Sequence, residues 1–440
     1  MKVLKFGGTS VGKPERMQSV AQLIKRENGK KLVVLSAVSG TTNSLVDISD
    51  KLCKKQPEAA KEAIENLFKP YAAFVEALLA SPASKEKGHA IISKVRGLIE
   101  SYVGKEFGEK ETRILLAQGE LISTQLFQLY MEESGEKSVL LSAFDFMKID
   151  EDNEPVLAFT EEKLTALIQQ SPEADYFITQ GYVCLNSNGE IDNLKRGGSD
   201  YTASLVGAAI RAEDIQIWTD IDGMHNNDPR IVKKTYPIAE LSFDEAAELA
   251  YFGAKILHPS TILPAKKYNI PVKLLNTMDP DAKGTVIANN TTPKEFKAIA
   301  AKDNIYAVKI KSTRMLLAYG FLRKVFEVFE KYKTPIDMIT TSEVAVSVTL
   351  DEPKNLDKIS EELKEYGVVS IDKDQSIICI VGDFPAQKGG VARKIFEALE
   401  HIPLRMISYG GSQNNVSVLI SSEHKNEALN VLNEELFGLK

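Results

Sequence analysis

The chain opens almost at once on Val3-Leu4-Lys5-Phe6-Gly7-Gly8-Thr9-Ser10. Val3, Leu4 and Phe6 make a short buried strand, Gly7-Gly8 permits a sharp turn that brings backbone amides near a ligand, and Pro14 suits the first turn of a helix starting near Lys13. A strand, a glycine turn and a helix form a phosphate cradle, because the amides at a helix start point at an anion. Lys5 sharpens the reading: an ammonium on a mostly apolar strand is costly to bury unless it meets an anion, and a phosphate is the expected partner. The plainer alternative is a tight connection, with Lys5 snorkelling from an edge strand. The stretch fits neither G-x-G-x-x-G nor G-x-x-x-x-G-K-[ST], so dinucleotide and P-loop folds lose their specific support.

The same pattern recurs. Residues 31–36 read as a second strand, 37–43 as a small polar loop, and a helix carries Leu45, Val46, Ile48 and Leu52. In a parallel α/β sheet such loops gather at the carboxyl ends of strands, which puts Ser36, Thr42 and Asn43 near the glycine turn; helix capping by Thr42 or Asn43 is the alternative. Residues 57–131 read as helical, with Gly88 and Gly104 as breaks. Within that stretch Gln118-Gly119-Glu120 stands out. A glycine inside a helix costs about 1 kcal/mol against alanine and needs a packing or ligand-access reason, and Glu120 beside it suits an ammonium or is a solvated carboxylate.

Strands come next at 138–141 and 175–179, the second ending at Gln180-Gly181. Leu194-Lys195-Arg196-Gly197-Gly198-Ser199-Asp200-Tyr201-Thr202 then leads into an Ala/Leu/Val helix, offering a helix N-terminus to an anion beside a guanidinium able to grip a carboxylate with two hydrogen bonds. Asp200 either caps that helix or orients groups at a reacting centre. Another buried strand at 214–219 precedes an Asp/Asn/Gly/Pro-rich loop through Arg230 that lacks the spacing of an EF-hand, so calcium is discounted. A helix at 243–251 runs into Phe252-Gly253-Ala254-Lys255, and 271–275 reads as the last strand before a polar connector ending near Pro293.

Composition serves mainly to exclude. At 440 residues the chain should hold roughly three domains at the usual 100–200 residues each. Its net charge of −7 gives no electrostatic reason to expect nucleic acid, so local cations must do any anion binding. Cys53, Cys184 and Cys379 are scattered and form no CxxC, which argues against a disulfide framework or a zinc site and points to a reducing cytoplasm. No apolar run reaches the ~20 residues of a membrane span, and the N-terminus enters a strand rather than a cleavable signal.

Beyond the connector an internal repeat of roughly 70 residues appears. Phe326-Glu327 recurs as Phe396-Glu397, and Asp337-Met338-Ile339-Thr340 as Arg405-Met406-Ile407-Ser408. Each copy reads strand, helix, strand, turn, strand, the first over 307–350 and the second over 377–421, and the pair suggests a small-molecule sensor.

With the Lys5 to Ser10 stretch, Gly197 to Thr202, Trp218-Thr219-Asp220 and Phe252 to Lys255 in this order, the chain resembles the monofunctional, lysine-sensitive aspartokinases over nearly its whole length. The resemblance implies an α/β fold: an amino-acid-kinase three-layer αβα sandwich with a mainly parallel sheet at 1–292, followed by two ferredoxin-like ACT domains, the first at 305–375 and the second at 293–304 plus 376–440. It implies phosphorylation of the L-aspartate side-chain carboxylate by ATP with Mg²⁺, giving 4-phospho-L-aspartate and ADP, the first step toward lysine, threonine and methionine. By resemblance Lys5 and Asp200 act in catalysis. Arg196 grips the aspartate α-carboxylate, Glu120 its ammonium, Thr42 helps orient it, and Ser36, Gly197, Gly198 and Ser199 complete the substrate site. Lys5, Phe6, Gly7, Gly8, Thr219, Asp220, His225, Arg230, Lys255 and Ile256 serve the nucleotide, and no protein metal site is assigned.

Met315, Gly320, Phe321, Leu322, Asp337, Thr341, Ser342 and Glu343 resemble an effector pocket in which the two carboxylates suit the ammonium groups of lysine; the alternative makes them turn carboxylates at a domain edge. ACT units that pair between chains imply a homodimer or homotetramer, with no nucleic-acid or membrane partner. The chain departs from the family pattern at Gln118, His225 and Leu317. A kinase for another carboxylate such as glutamate, and a catalytically silent amino-acid sensor, are the competing functions.

Overall fold

A computed structural model describes residues 1–195, 197–253, 257–312, 319–385, 387 and 389–439. The chain divides into two compact units, one of residues 1–224, 239–243 and 257–291, the other of 225–238, 244–256 and 292–440.

The first unit is a sheet with helices on both faces. The apolar runs of the sequence become β1 (Lys2–Phe6) and β2 (Lys31–Leu35), joined by α1 (Pro14–Arg26), whose Pro14 takes the first helical position. After β2 come four helices, α2 (Thr41–Cys53), α3 (Pro57–Leu78), α4 (Pro82–Glu100) and α5 (Glu109–Glu133), and then β3 (Ser138–Leu141), α6 (Leu157–Gln169) and β4 (Tyr176–Gln180). A small hairpin of β5 (Val183–Leu185) and β6 (Ile191–Asn193) leads to α7 (Gly198–Ala209) and β7 (Ile215–Thr219). Next is β8 (Glu240–Leu241); α8 (Phe243–Tyr251) belongs to the other unit from its second residue on, and α9 (Pro259–Lys267), β9 (Val272–Asn276) and β10 (Thr285–Ile287) complete this one.

The strand order is β3-β4-β2-β1-β7-β9-β10-β8. The first six are parallel, and β10 turns back against β9 with β8 beside it. Both faces are covered, by α1 to α5 on one side and α6, α7 and α9 on the other, so β2 and β4 are buried at every position. That is why those strands read as continuous apolar runs rather than alternating ones. The strand at 271–275 is not the last of the unit: β10 comes after it inside the expected polar connector, too short to signal itself in sequence.

Gly88 does not break a helix. It lies buried inside α4, where a Cβ would stand 2.8 Å from Val75 Cγ1 on α3, so the glycine sets the close approach of two helices. The breaks fall at Ser81, whose hydroxyl caps α4, and in the segment around Gly104, which adopts φ +77°.

In the second unit two copies of a βαββαβ ferredoxin-like fold share one sheet. The elements are β11 (Ala298–Lys311), α10 (Phe321–Lys331), β12 (Ile339–Thr341), β13 (Ala345–Leu350), α11 (Leu356–Leu363), β14 (Val368–Val381), α12 (Val391–Ala398), β15 (Leu404–Tyr409), β16 (Asn415–Ser421) and α13 (Lys425–Phe437). The antiparallel order β12-β13-β11-β14-β16-β15 places two 14-residue strands at the centre, each serving both copies. The first part of β11 pairs with the end of β14, and its second part with the start of β14 and with β13. Each copy has its own apolar core, one around Val308, Val325 and Ile359 and the other around Ile299, Ile378 and Leu432. The helices α11 and α13 were not expected from the strand–helix–strand–turn–strand pattern. Among the described residues no helix is long and apolar enough to cross a membrane.

Gly88→Val should destabilise the fold by about 1–3 kcal/mol by overpacking the α3–α4 contact. The readout is a lower urea midpoint at unchanged slope, and an unchanged midpoint would mean the helices do not meet there.

Candidate active site

From β1 the chain moves to β2 on one side and later to β7 on the other, and ligands bind beyond the carboxyl ends of parallel strands at such a switch point. The glycine turn lies there. The Gly7 N–H continues the sheet by donating to the Trp218 carbonyl at 3.3 Å, and the Gly7 carbonyl accepts from Ser10 N at 3.0 Å. The amides of Gly8 and Thr9 donate to no protein group among the described residues. A Cβ on Gly8 would stand 2.9 Å from the Ala37 carbonyl, and Ser39 N donates to the Gly8 carbonyl at 3.2 Å, so only glycine lets the β2–α2 loop close on this turn.

Lys5 is 8% exposed on the central strand β1, which excludes an edge-strand lysine reaching solvent. Its Nζ stands 2.5 Å from Asp200 Oδ1, and a Cβ on Gly7 would lie 3.5 Å from that Nζ, so the ammonium sits over the glycine turn. Asp200 Oδ1 has no well-directed hydrogen bond, so the contact is an electrostatic one. Asp200 does not cap α7: it lies in the first turn, and the cap is Gly197, at φ +67°, without a side-chain bond. A carboxylate that would by itself repel an anion is the group that holds the site's cation in place.

The start of α7 presses on the end of β4. A Cβ on Gly181 would fall 2.3 Å from Ser199 Oγ, and Tyr182 N donates to Thr202 Oγ1 at 2.9 Å. The amides of Gly198, Ser199 and Asp200 donate to no protein group among the described residues, leaving a helix N-terminus open to an anion. Arg196 lies outside the described residues, but the Gly197 to Asp200 stretch that comes after it is at the strand edge that carries Lys5.

Between these features lies the loop after β2. Ser36 N donates to the Phe6 carbonyl at 3.2 Å, and the Ser36 carbonyl accepts from Ser123 Oγ at 2.8 Å. Neither Thr42 nor Asn43 caps α2, whose cap is Gly40 at φ +86°. Thr41 instead shares a 2.7 Å hydrogen bond with the Tyr71 hydroxyl.

Glu120 is only 4% exposed and is no solvated carboxylate. Its Oε1 accepts the Ala37 N–H at 3.3 Å while Oε2 is buried without a partner, and burial pushes its pKa up to about 7. The neighbouring glycine has a packing reason, since a Cβ on Gly119 would stand 2.8 Å from Ala37 Cβ. A buried carboxylate with an orphan oxygen suits a cationic ligand, which would restore its charge. Gln118 is buried and donates to the Ile114 carbonyl of its own helix at 2.8 Å.

On the β7 side Thr219 Oγ1 donates to Asp220 Oδ1 at 3.3 Å, and the Phe6 ring, fully buried, stacks on Trp218 with centroids 5.9 Å apart. His225 and Arg230 belong to the second unit, where His225 Nδ1 lies 2.8 Å from Thr235 Oγ1 and Arg230 forks onto Asp228 at 2.9 and 2.7 Å. Lys255 and Ile256 lie outside the described residues. No three His, Cys, Asp or Glu side chains among the described residues converge to hold a metal ion.

In the expected effector region, Gly320 begins α10 at φ +79°, Phe321 is buried, Leu322 is exposed, and Met315 lies outside the described residues. Thr341 ends β12, Ser342 and Glu343 form the turn to β13, and all three are exposed. Asp337 is no loose turn carboxylate. Its side chain is 2% exposed, and its Oδ1 accepts from Lys302 Nζ and from the Tyr251 hydroxyl, both at 2.7 Å. Lys302 also pairs with Asp351 at 2.8 Å and lies over the Tyr251 ring.

Sequence reasoning did not assign Tyr71, Gly181, Tyr182, Lys302 or Tyr251. The Gln180-Gly181 turn after a strand was a usable signal for two of them; the others depend on long-range contacts that leave no local trace.

The raised pKa of Glu120 carries a pH consequence. Stability from a carboxyl raised in the fold is complete below its unfolded value of 4.5 and is lost as pH rises through about 7. Glu120→Gln should remove that window: the loss of urea stability between about pH 5 and about pH 8 without ligand should shrink by on the order of 2 kcal/mol. An unchanged profile would place the carboxyl in solvent.

Residues 1–276 match the amino acid kinase family and 378–436 the ACT domain. Over 450 residues the chain is 34% identical to lysine-sensitive aspartokinase 3 of Escherichia coli (strain K12), covering 99% of each chain. The crystal structure of E. coli aspartokinase III in complex with aspartate and ADP (R-state) matches with a TM-score of 0.87 at 33% identity, over 99% of this chain and 100% of that one. The same enzyme in complex with lysine and aspartate (T-state) matches with a TM-score of 0.80 at 33% identity, over 99% of each chain. On this similarity along its whole length, the chain belongs to the aspartokinases, within the amino acid kinase family.

Proposed function

We propose that the chain phosphorylates the side-chain carboxylate of L-aspartate with ATP, yielding 4-phospho-L-aspartate and ADP, and that L-lysine inhibits it through the ACT units as the end product of the pathway this step opens. The observation that carries the reading is the Lys5–Asp200 contact, which brings the glycine turn and the start of α7 to one point at the carboxyl ends of the parallel strands.

A carboxylate with a pKa near 3.9 is already ionised at neutral pH, so the nucleophile needs no general base. The obstacle is bringing an anion up to a polyanion, and the answer is positioning with charge neutralisation. Lys5 and the open amides of Gly8 and Thr9 face the transferring phosphoryl group, with Asp200 holding the ammonium over the turn. Glu120 takes the aspartate ammonium and Arg196 its α-carboxylate. Ser36, Thr42 and the Gly197, Gly198 and Ser199 backbone orient the substrate, and the nucleotide contacts follow the resemblance at Phe6, Gly7, Thr219, Asp220, His225, Arg230, Lys255 and Ile256. Mg²⁺ would be carried mainly by the nucleotide phosphates, where it would neutralise charge.

The catalytic domain is assigned to 1–292, the first ACT domain to 305–375 and the second to 293–304 plus 376–440, an interleaving that the divided pairing of β11 supports. The effector site is built from Met315, Gly320, Phe321, Leu322, Asp337, Thr341, Ser342 and Glu343. Lysine inhibits by favouring a less active arrangement. A homodimer or homotetramer through the ACT sheet is supported by exposed apolar side chains on its outer strands, Ile339 on β12 and Ile407 and Tyr409 on β15. Cytoplasmic residence is supported by three unpaired cysteines.

ADP release with ATP, Mg²⁺ and either L-aspartate or L-glutamate tests the reaction: aspartate should be turned over, and turnover of glutamate alone or of neither would refute it. Lys5→Ala should lower kcat by about 100-fold or more while lysine binding persists, and equal turnover would remove Lys5 from the mechanism. Glu343→Ala should raise the lysine concentration for half-inhibition several-fold, by about 1–2 kcal/mol, without a comparable loss of uninhibited rate. Unchanged inhibition would move the effector elsewhere.

A further inference from the structure

Three asparagines meet in the second unit with almost no exposure: Asn226 at 0%, Asn227 at 3% and Asn433, on α13, at 1%. Asn433 Oδ1 accepts from Asn226 Nδ2 at 3.0 Å and from Asn227 Nδ2 at 3.4 Å, and its own Nδ2 donates to the carbonyls of Lys234 at 3.0 Å and Leu439 at 3.4 Å. Asn227 Nδ2 also donates to the Leu429 carbonyl at 2.9 Å, and Asn226 Oδ1 accepts Tyr236 N at 2.8 Å. Alongside, Ile231 and Val232 pack into the same apolar core as Ile299, Leu429 and Leu432.

The apolar pair would suffice to dock the loop. Buried amides add direction, because each must find partners at fixed angles or cost the free energy of an unmet polar group. Here they align the next residues of the loop. Asn227 Oδ1 accepts Asp228 N at 2.9 Å, and Asp228 then takes both the backbone N and the guanidinium of Arg230. The line of bonds runs from α13 to a side chain that is 75% exposed and pre-aimed by a two-point grip.

We infer that Asn433 is a positioning residue for the nucleotide: through Asn226, Asn227 and Asp228 it sets the pose of the 225–230 loop and of the Arg230 guanidinium. The inference rests on the proposed role of His225 and Arg230 toward ATP. α13 belongs to the second ACT copy, so the residue that sets this loop lies in the same unit but about two hundred positions away in sequence.

The test uses the full-length chain in steady-state kinetics, with ADP binding measured by calorimetry. Asn433→Ala should raise KM for ATP and weaken ADP about fivefold, as expected for the loss of roughly 1 kcal/mol of fixed hydrogen bonding, with KM for aspartate within about twofold. Asp228→Asn, a change near the surface that leaves the amide cluster whole, should move the same two quantities in the same direction by less. A general loss of structure would instead lower kcat and disturb both KM values together. Unchanged KM for ATP in both variants, or in Asp228→Asn alone if Asn433→Ala does not fold, would overturn the inference while leaving wild-type aspartate turnover intact. A wild-type chain that neither bound ADP nor turned over aspartate would bring down the functional reading and this inference with it.

Discussion

An ammonium buried in the middle of a parallel sheet can persist only where the atoms around it are arranged for its charge. Lys5 sits on the central strand at 8% exposure, and the compensation comes from Asp200, at the start of a helix nearly two hundred residues further on. That one pair obliges β1 and the first turn of α7 to share an edge, with the glycine turn directly beside the amine. Without an anion the carboxylate supplies the missing charge. With one, the cation and the open amides face it together, so the pair keeps the site assembled in both conditions.

Glu120 presents the same argument with the sign reversed. Its carboxyl is buried against the loop that the glycine turn holds, one oxygen bonded to the Ala37 amide and the other orphaned. Such a group is poised near neutrality, and a cationic ligand is what it lacks. A paired cation beside open amides on one side and an orphaned carboxyl on the other would suit a ligand with an anionic end and an ammonium. Gly8 and Gly119 both make room for the same short stretch around Ala37, so the backbone contact that closes the glycine turn also brings Glu120 up to the loop.

The sheet and the helix starts were legible because they rest on local rules. Continuous apolar runs foretold β1, β2 and β4, Pro14 foretold the start of α1, and residues 243–251 form a helix with the bounds read from their pattern. Glycine was legible as unusual but not as to why: Gly88 looked like a break and is a contact between helices, and Gly119, read as needing a packing or ligand-access reason, has a packing one. Glu120, Asp200 and Asp337 could be located but not weighed, because whether a carboxylate is solvated, caps a helix or holds a cation depends on residues far away in the chain. Lys302 and Asn433 left no mark for the same reason, and α11 was hidden by its brevity and charge.

The interleaving of the two ACT copies gives that long-range dependence a physical form. β11 changes register against β14 between Lys302 and Ile305, at Lys302-Asp303-Asn304, with Asn304 at φ +60°. That break is where the strand passes from one copy to the other, and it is polar because a strand that must change register there cannot be apolar on a fixed face. Lys302 stands at the break and holds Asp337 and Asp351, while Tyr251, at the end of α8, reaches the same carboxylate. A ligand that competed for Asp337 would draw on the strand at the one place where its pairing is already irregular, and both copies would feel it because both are built on that strand. Two sensors folded on separate sheets would have no such connection.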